Sequence, residues 1–184
     1  MDETDSNEQK IINIVGTNNR YMIKKVLREK KTPKKREVTK NWLFSEDYYN
    51  YDNQLKIINE ILSDNLDNEV TKIAIQEINK KISGYKQQDI IKKKLDNELF
   101  IDFNCIINKM IECELKCRYC KCEMSVLYDI TREMKQWSVD RIDNDKGHNK
   151  ENFHLACLDC NLKRRRRTDE KFLFTKQLNI VKHD

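Results

Sequence analysis

Residues 136–167 read QWSVDRIDNDKGHNKENFHLACLDCNLKRRRR, and this stretch decides the fold. Residues 137–142 form a short apolar-rich run, and residues 152–156 form a second. Both are the length and composition of small strands. Between them lies Asp143-Asn144-Asp145-Lys146-Gly147, whose residue types favour bending the chain. Residues 158–167 then have helical character, opening inside the pair Cys157-Leu158-Asp159-Cys160. The predicted order is strand, loop, strand, helix.

Moving toward the N-terminus, a second pair with the same spacing appears at Cys117-Arg118-Tyr119-Cys120. A two-residue spacer lets both thiolates of a knuckle face one cation, and two knuckles complete a tetrahedral four-sulfur zinc site. Such a site closes the chain between Cys120 and Cys157 and supplies folding energy. The sequence has seven cysteines, none before Cys105. The chain opens Met-Asp-Glu-Thr-Asp, acidic where a secretion signal is basic, so an intracellular protein is expected and disulfides are poor readings. Thiol redox chemistry is the rival for a Cys-x-x-Cys pair, but it goes with a βαβ pattern that is missing here. Cys105, Cys113 and Cys122 are left without a role.

The remaining sequence is helical and charged. Of 184 residues 36% are charged and 38% hydrophobic, the net charge is +5, and there are only three Gly and one Pro. This argues against a turn-rich β-sandwich and a Gly-rich phosphate loop, and no run approaches the ~18 apolar residues of a membrane span. Leu55, Ile57, Ile58, Ile61 and Leu62 mark one helix. Ala74, Ile75, Ile78 and Ile82 mark a second, ending at Gly84. A third is predicted over residues 87–95, and Leu99, Phe100, Phe103, Ile106, Ile107 and Met110 mark a fourth. The aromatic stretch 41–53 reads as packing more than as base stacking. Residues 20–40 hold ten basic residues against Glu29 and Glu37, which suits a solvated arm, an import signal or a phosphate-contacting segment. The expected class is α+β: an acidic tip and basic arm (1–40), a helical region (41–111) and a zinc-stabilised module (112–184).

The central stretch resembles the HNH endonuclease family, whose ββα-metal finger often sits between two Cys-x-x-Cys knuckles. The residues that carry the likeness are Asp140-Arg141, Asn152 five residues before Cys157, and Asn161 directly after Cys160. The DRIDN…GHN pattern is similar to that of a subgroup from large DNA viruses, which implies action in a nucleus, a viral factory or a virion. The specific motif covers residues 117–167; a weaker likeness covers 82–182. The resemblance implies metal-dependent hydrolysis of DNA phosphodiester bonds, with Mg²⁺ or Mn²⁺ held by Asp140 and the Asn161 amide oxygen. Asn152 would brace the loop between the strands.

One departure matters. The family's general base is the His after that Asp, and here Arg141 stands in its place. A guanidinium keeps its proton at neutral pH but can clamp a phosphate bidentately. His148 is the first substitute base and His154 the second. Asp143 and Asp145 suit the turn more than a metal. The run Lys163-Arg164-Arg165-Arg166-Arg167 is expected to meet backbone phosphates, with only two or three of the five sharing a face. The alternative is a catalytically silent module of the same fold that binds nucleic acid or a protein complex; a homodimer is compatible with either.

Overall fold

The computed structural model describes residues 32–178. The acidic tip and most of the basic arm lie outside the described residues. Two 3₁₀ turns, Glu37–Asn41 and Glu46–Tyr49, lead into α1 (Tyr51–Leu62), α2 (Glu69–Ile91) and α3 (Phe103–Glu112). The strands β1 (Trp137–Arg141) and β2 (Phe153–Cys157) follow, then α4 (Leu158–Arg164) and α5 (Asp169–Gln177). The class is α+β, with one two-stranded antiparallel sheet among the described residues. No helix among them is long and apolar enough to cross a membrane.

One hydrophobic cluster joins the helical region to the knuckle region. Ile57, Ile58 and Ile61 of α1 recur at helical spacing and are buried with Val70, Ala74 and Ile78 of α2. Ile106, Ile107 and Met110 of α3, Trp137 and Val139 of β1, and Leu155 of β2 belong to the same cluster. Burying each such side chain stabilises the fold by about 1.5–3 kcal/mol. The segment before α1 packs on this core through its aromatic residues: Trp42 stacks on Phe44 at 5.5 Å, and Phe44 meets Tyr48 edge-on at 5.6 Å. Buried Gln54 fastens α1 to the loop before the sheet. Its Oε1 accepts from Val126 N and Leu127 N, and its Nε2 donates to Leu127 O.

The helix pattern differs from expectation in one place. Gly84 does not end α2; the helix runs unbroken to Ile91, and no separate helix spans 87–95. Glycine costs about 1 kcal/mol in a helix relative to Ala. Here the inward stripe continues past it through Ile82, Tyr85 and Asp89, while a side chain added at Gly84 would meet open space. The packed stripe outweighs the propensity of one outward residue. α2 meets the sheet on both sides of Gly84: Tyr85 Oη, in the extension, accepts from Val139 N at 3.0 Å, and Lys81 Nζ, before it, donates to Trp137 O at 2.5 Å.

The sheet register pairs Trp137 with Cys157, Asp140 with His154, and Arg141 with Phe153. Cross-strand partners point to the same face. Ser138, Asp140 and His154 therefore share the face that receives α4, while Trp137 and Val139 face α2. The last helix of the ββα unit is shorter than expected, since α4 ends at Arg164 rather than Arg167.

Candidate functional site

The two knuckles meet. The sulfurs of Cys117, Cys120, Cys157 and Cys160 all lie within 4.8 Å of one another, a set that can hold a metal ion such as zinc. Cys120 and Cys157 sulfurs are 3.8 Å apart. A tetrahedron with metal–sulfur bonds of ~2.3 Å has edges of about that length. The first knuckle is shaped by its backbone: Lys121 N donates to Cys117 O, Cys117 N donates to Cys122 O, and Lys121 takes φ 58°. In the second, Cys157 caps α4, its sulfur accepting from Cys160 N at 3.4 Å. Crowding couples these thiols. A hydrogen bond from Cys157 pulls the Cys117 thiol down and pushes Cys157 up, and burial pushes Cys160 up.

Asp140 lies on the adjoining face of β1, 4% exposed. Its carboxylate faces Arg164 of α4, itself 1% exposed. Arg164 Nη2 donates to Asp140 Oδ1 at 2.8 Å, and Nε approaches Oδ2 at 2.6 Å, off the hydrogen-bonding direction. The same guanidinium donates to the carbonyls of Arg141 and Arg167. Tyr119 Oη lies 2.5 Å from Asp140 Oδ2 and 2.7 Å from Asp169 Oδ1, so its one proton serves a single carboxylate at a time. Burial, reinforced by these two carboxylates, pushes the Tyr119 phenol up.

Arg164 therefore departs from its expected place. It does not face solvent to meet phosphate. It follows Cys160 by four positions, so both residues lie on the buried face of α4, and its guanidinium reaches inward to Asp140. Lys163 pairs with Asp159 at 2.7 Å, and Arg165, Arg166 and Arg167 are exposed. Asn161 is half-buried against β1, its Nδ2 donating to Ser138 Oγ and Val139 O at 3.1 Å each. Its Oδ1 accepts no hydrogen bond among the described residues. The donor set thus suits a hard cation in kind, one carboxylate and one amide oxygen. Arg164 is what now matches the charge of Asp140, and a cation has to displace it.

The loop between the strands is closed by Asn152. Its Oδ1 accepts from Asp143 N at 2.8 Å, and its Nδ2 donates to Asp143 O and Gly147 O at 3.0 Å each. His148, the first candidate base, is buried. It is 4% exposed, its Nδ1 is 2.7 Å from Asp89 Oδ1, and its backbone N donates to Asp89 Oδ2 at 2.6 Å. Burial lowers its pKa despite the nearby Asp89 carboxylate. It fastens the loop to α2. His154, the second candidate, shares the face of Asp140, with Nε2 3.6 Å from Asp169 Oδ2. Burial lowers its pKa too, which keeps the ring neutral near pH 7. Arg141 is held beside the loop, Nη1 donating to Lys146 O at 3.0 Å.

Sequence reasoning missed Tyr119, Asp169, Arg164 as a partner of Asp140, and Asp89. A tyrosine inside a knuckle and an aspartate in a helix carry no local signature; only the packing of distant segments gives them roles. Comparison of the chain with family models, curated proteins and solved structures finds no match.

Proposed function

We propose that the chain is a metal-dependent endonuclease hydrolysing DNA phosphodiester bonds, with the four cysteines holding a structural zinc ion. The observation that carries this reading is that α4 packs Asn161 and Arg164 against the strand that bears Asp140, Asn161 bonding Ser138 and Val139 beside it and Arg164 bonding Asp140 itself. A hard divalent cation bound there would neutralise charge on the phosphate and ease departure of the leaving oxygen. Asn161 is oriented for this by its two bonds to β1. Arg164, released from Asp140, becomes a cation available to the phosphate, and Arg141 is the bidentate clamp. His154 is the proton acceptor, neutral at pH 7 and on the face of Asp140. His148 supports the loop.

The test is a supercoiled plasmid with Mg²⁺ or Mn²⁺ and the zinc-loaded chain. Wild type nicks it; Asp140→Ala and Asn161→Ala do not, with zinc content retained. His154→Ala loses nicking, whereas the magnitude of any His148→Ala loss follows its loss of folded protein. Failure of wild type across several metals and DNA forms overturns the enzyme reading. The buried Arg164–Asp140 pair favours a second reading, a catalytically silent module that binds nucleic acid. Such a protein shifts DNA in a gel and leaves it uncut after metal is added.

A further inference from the structure

Beside the loop between the strands, the end of α2 and the chain after α4 enclose a cleft of about 680 Å³. Lys92 and Lys94 form one wall, and Arg141, Arg165 and Arg166 the other, with Asp145 the one carboxylate in the lining. We propose that this cleft seats the phosphate backbone of DNA, with the lysines at the end of α2 forming a wall of the site. The proposal rests on the nucleic-acid partner of the reading above, not on cleavage.

Charge is the first argument. Lys92, Arg165 and Arg166 are exposed, and none has a carboxylate within ion-pair distance among the described residues. Asp145 offers little compensation: its side chain is fully exposed and 3.9 Å from Lys94 Nζ. Gathering these lysines and arginines in one concavity raises the local potential and draws a polyanion.

Preorganisation is the second. Lys94 Nζ donates to Asn144 O at 2.7 Å, and Asp89 binds both the backbone and the ring of His148. Gly147 lies so close to the end of α2 that an added Cβ would run into Lys94 O. The walls are thereby fixed before any ligand arrives, which lowers the ordering cost of binding. Arg165 adopts φ 55° and ψ −116°, a conformation rare for a side-chain-bearing residue, and this reversal ends α4 at the cleft's edge.

The cleft also has an end. Beyond Arg166 the adjoining hollow is lined by Asp143, Asp169 and Glu170 as well as Arg167. A phosphate backbone is drawn along the Lys92–Arg166 side and repelled past it.

The experiment is fluorescence anisotropy of labelled duplex DNA with the zinc-loaded full chain, magnesium omitted, across a KCl series. Each phosphate contact adds roughly 0.9 to the slope of log K against log salt. Lys92→Gln/Arg166→Gln is expected to flatten the slope by about two, and Arg165→Gln by about one, with unchanged melting temperatures. Lys86→Gln, exposed on α2 outside the cleft, leaves the slope unaltered. An unchanged slope in the double variant, or an equal loss in Lys86→Gln, overturns the proposal. So does displacement of DNA by micromolar inorganic tripolyphosphate, which assigns the cleft to a small polyphosphate. Binding of this kind without nicking overturns only the hydrolysis reading; nicking with an unchanged slope overturns only this one.

Discussion

The two ends of α4 treat charge in opposite ways. At its N-terminal end, Cys157 and Cys160 join Cys117 and Cys120 in a group of four sulfurs gathered face to face. At its C-terminal end, Arg164 lies against Asp140, so the protein matches that charge with a side chain of its own. Four cysteine sulfurs this close can hold a cation, and a metal bound there would contribute to folding. A carboxylate already paired with a guanidinium folds without one, and a metal there has to compete. One short helix thus separates a sulfur group that can hold a metal from a carboxylate that already has a cationic partner.

The largest effect belongs to the sulfur group. Structural zinc contributes on the order of 10 kcal/mol to folding. Cys160→Ser, or prolonged chelation, is expected to remove the bound zinc and abolish cooperative thermal unfolding, as read by metal analysis and a melting curve. A variant that keeps a sharp transition without zinc would erase the contrast.

Arg164→Ala comes next. It leaves the buried Asp140 carboxyl without its guanidinium partner, a change that costs about 3–5 kcal/mol. Urea unfolding should show it, and pairing it with Asp140→Leu should recover part of the loss. A double-variant cost equal to the sum of the Arg164→Ala and Asp140→Leu costs would mean that the pair is not coupled.

Gly147→Ala drives a methyl group into Lys94 O and the Asp89 carboxylate. A loss of about 1–3 kcal/mol is expected from this overpacking. At Gly84 the added methyl meets open space on a helix, so Gly84→Ala in the same urea series should gain up to about 1 kcal/mol.

The smallest effect is a pH dependence. His148 and His154 are both held below their ordinary value by burial. Below about pH 6.5 the unfolded chain takes up protons that the folded chain refuses. Stability is therefore full above that pH and falls beneath it, by at most about 1.4 kcal/mol per pH unit for each histidine. Calorimetry from pH 8 to 5 should show the decline, and His148→Gln should flatten it.

Much of this arrangement was legible in the sequence. Cysteine spacing identified the four sulfurs that gather, and short apolar runs placed both strands to within a residue. Local pattern failed where distant segments decide the outcome. Gly84 reads as a helix stop because propensity is local, while the stripe that carries α2 past it is completed by β1. Asp89 reads as one more polar residue in a helix, although it is buried and holds His148. Arg164 reads as one of five basic residues, because its partner Asp140 is 24 positions away. Helical phase alone does not say which of the five turns inward.

Crystals of the zinc-loaded chain soaked in Mn²⁺, with anomalous maps collected at the zinc and manganese edges, show which metal each place takes. Zinc is expected among the four sulfurs and manganese at Asp140 and Asn161, with the Arg164 guanidinium turned away from the carboxylate. Zinc among the sulfurs, no manganese at Asp140 and Arg164 still in place would contradict the proposed metal-dependent hydrolysis.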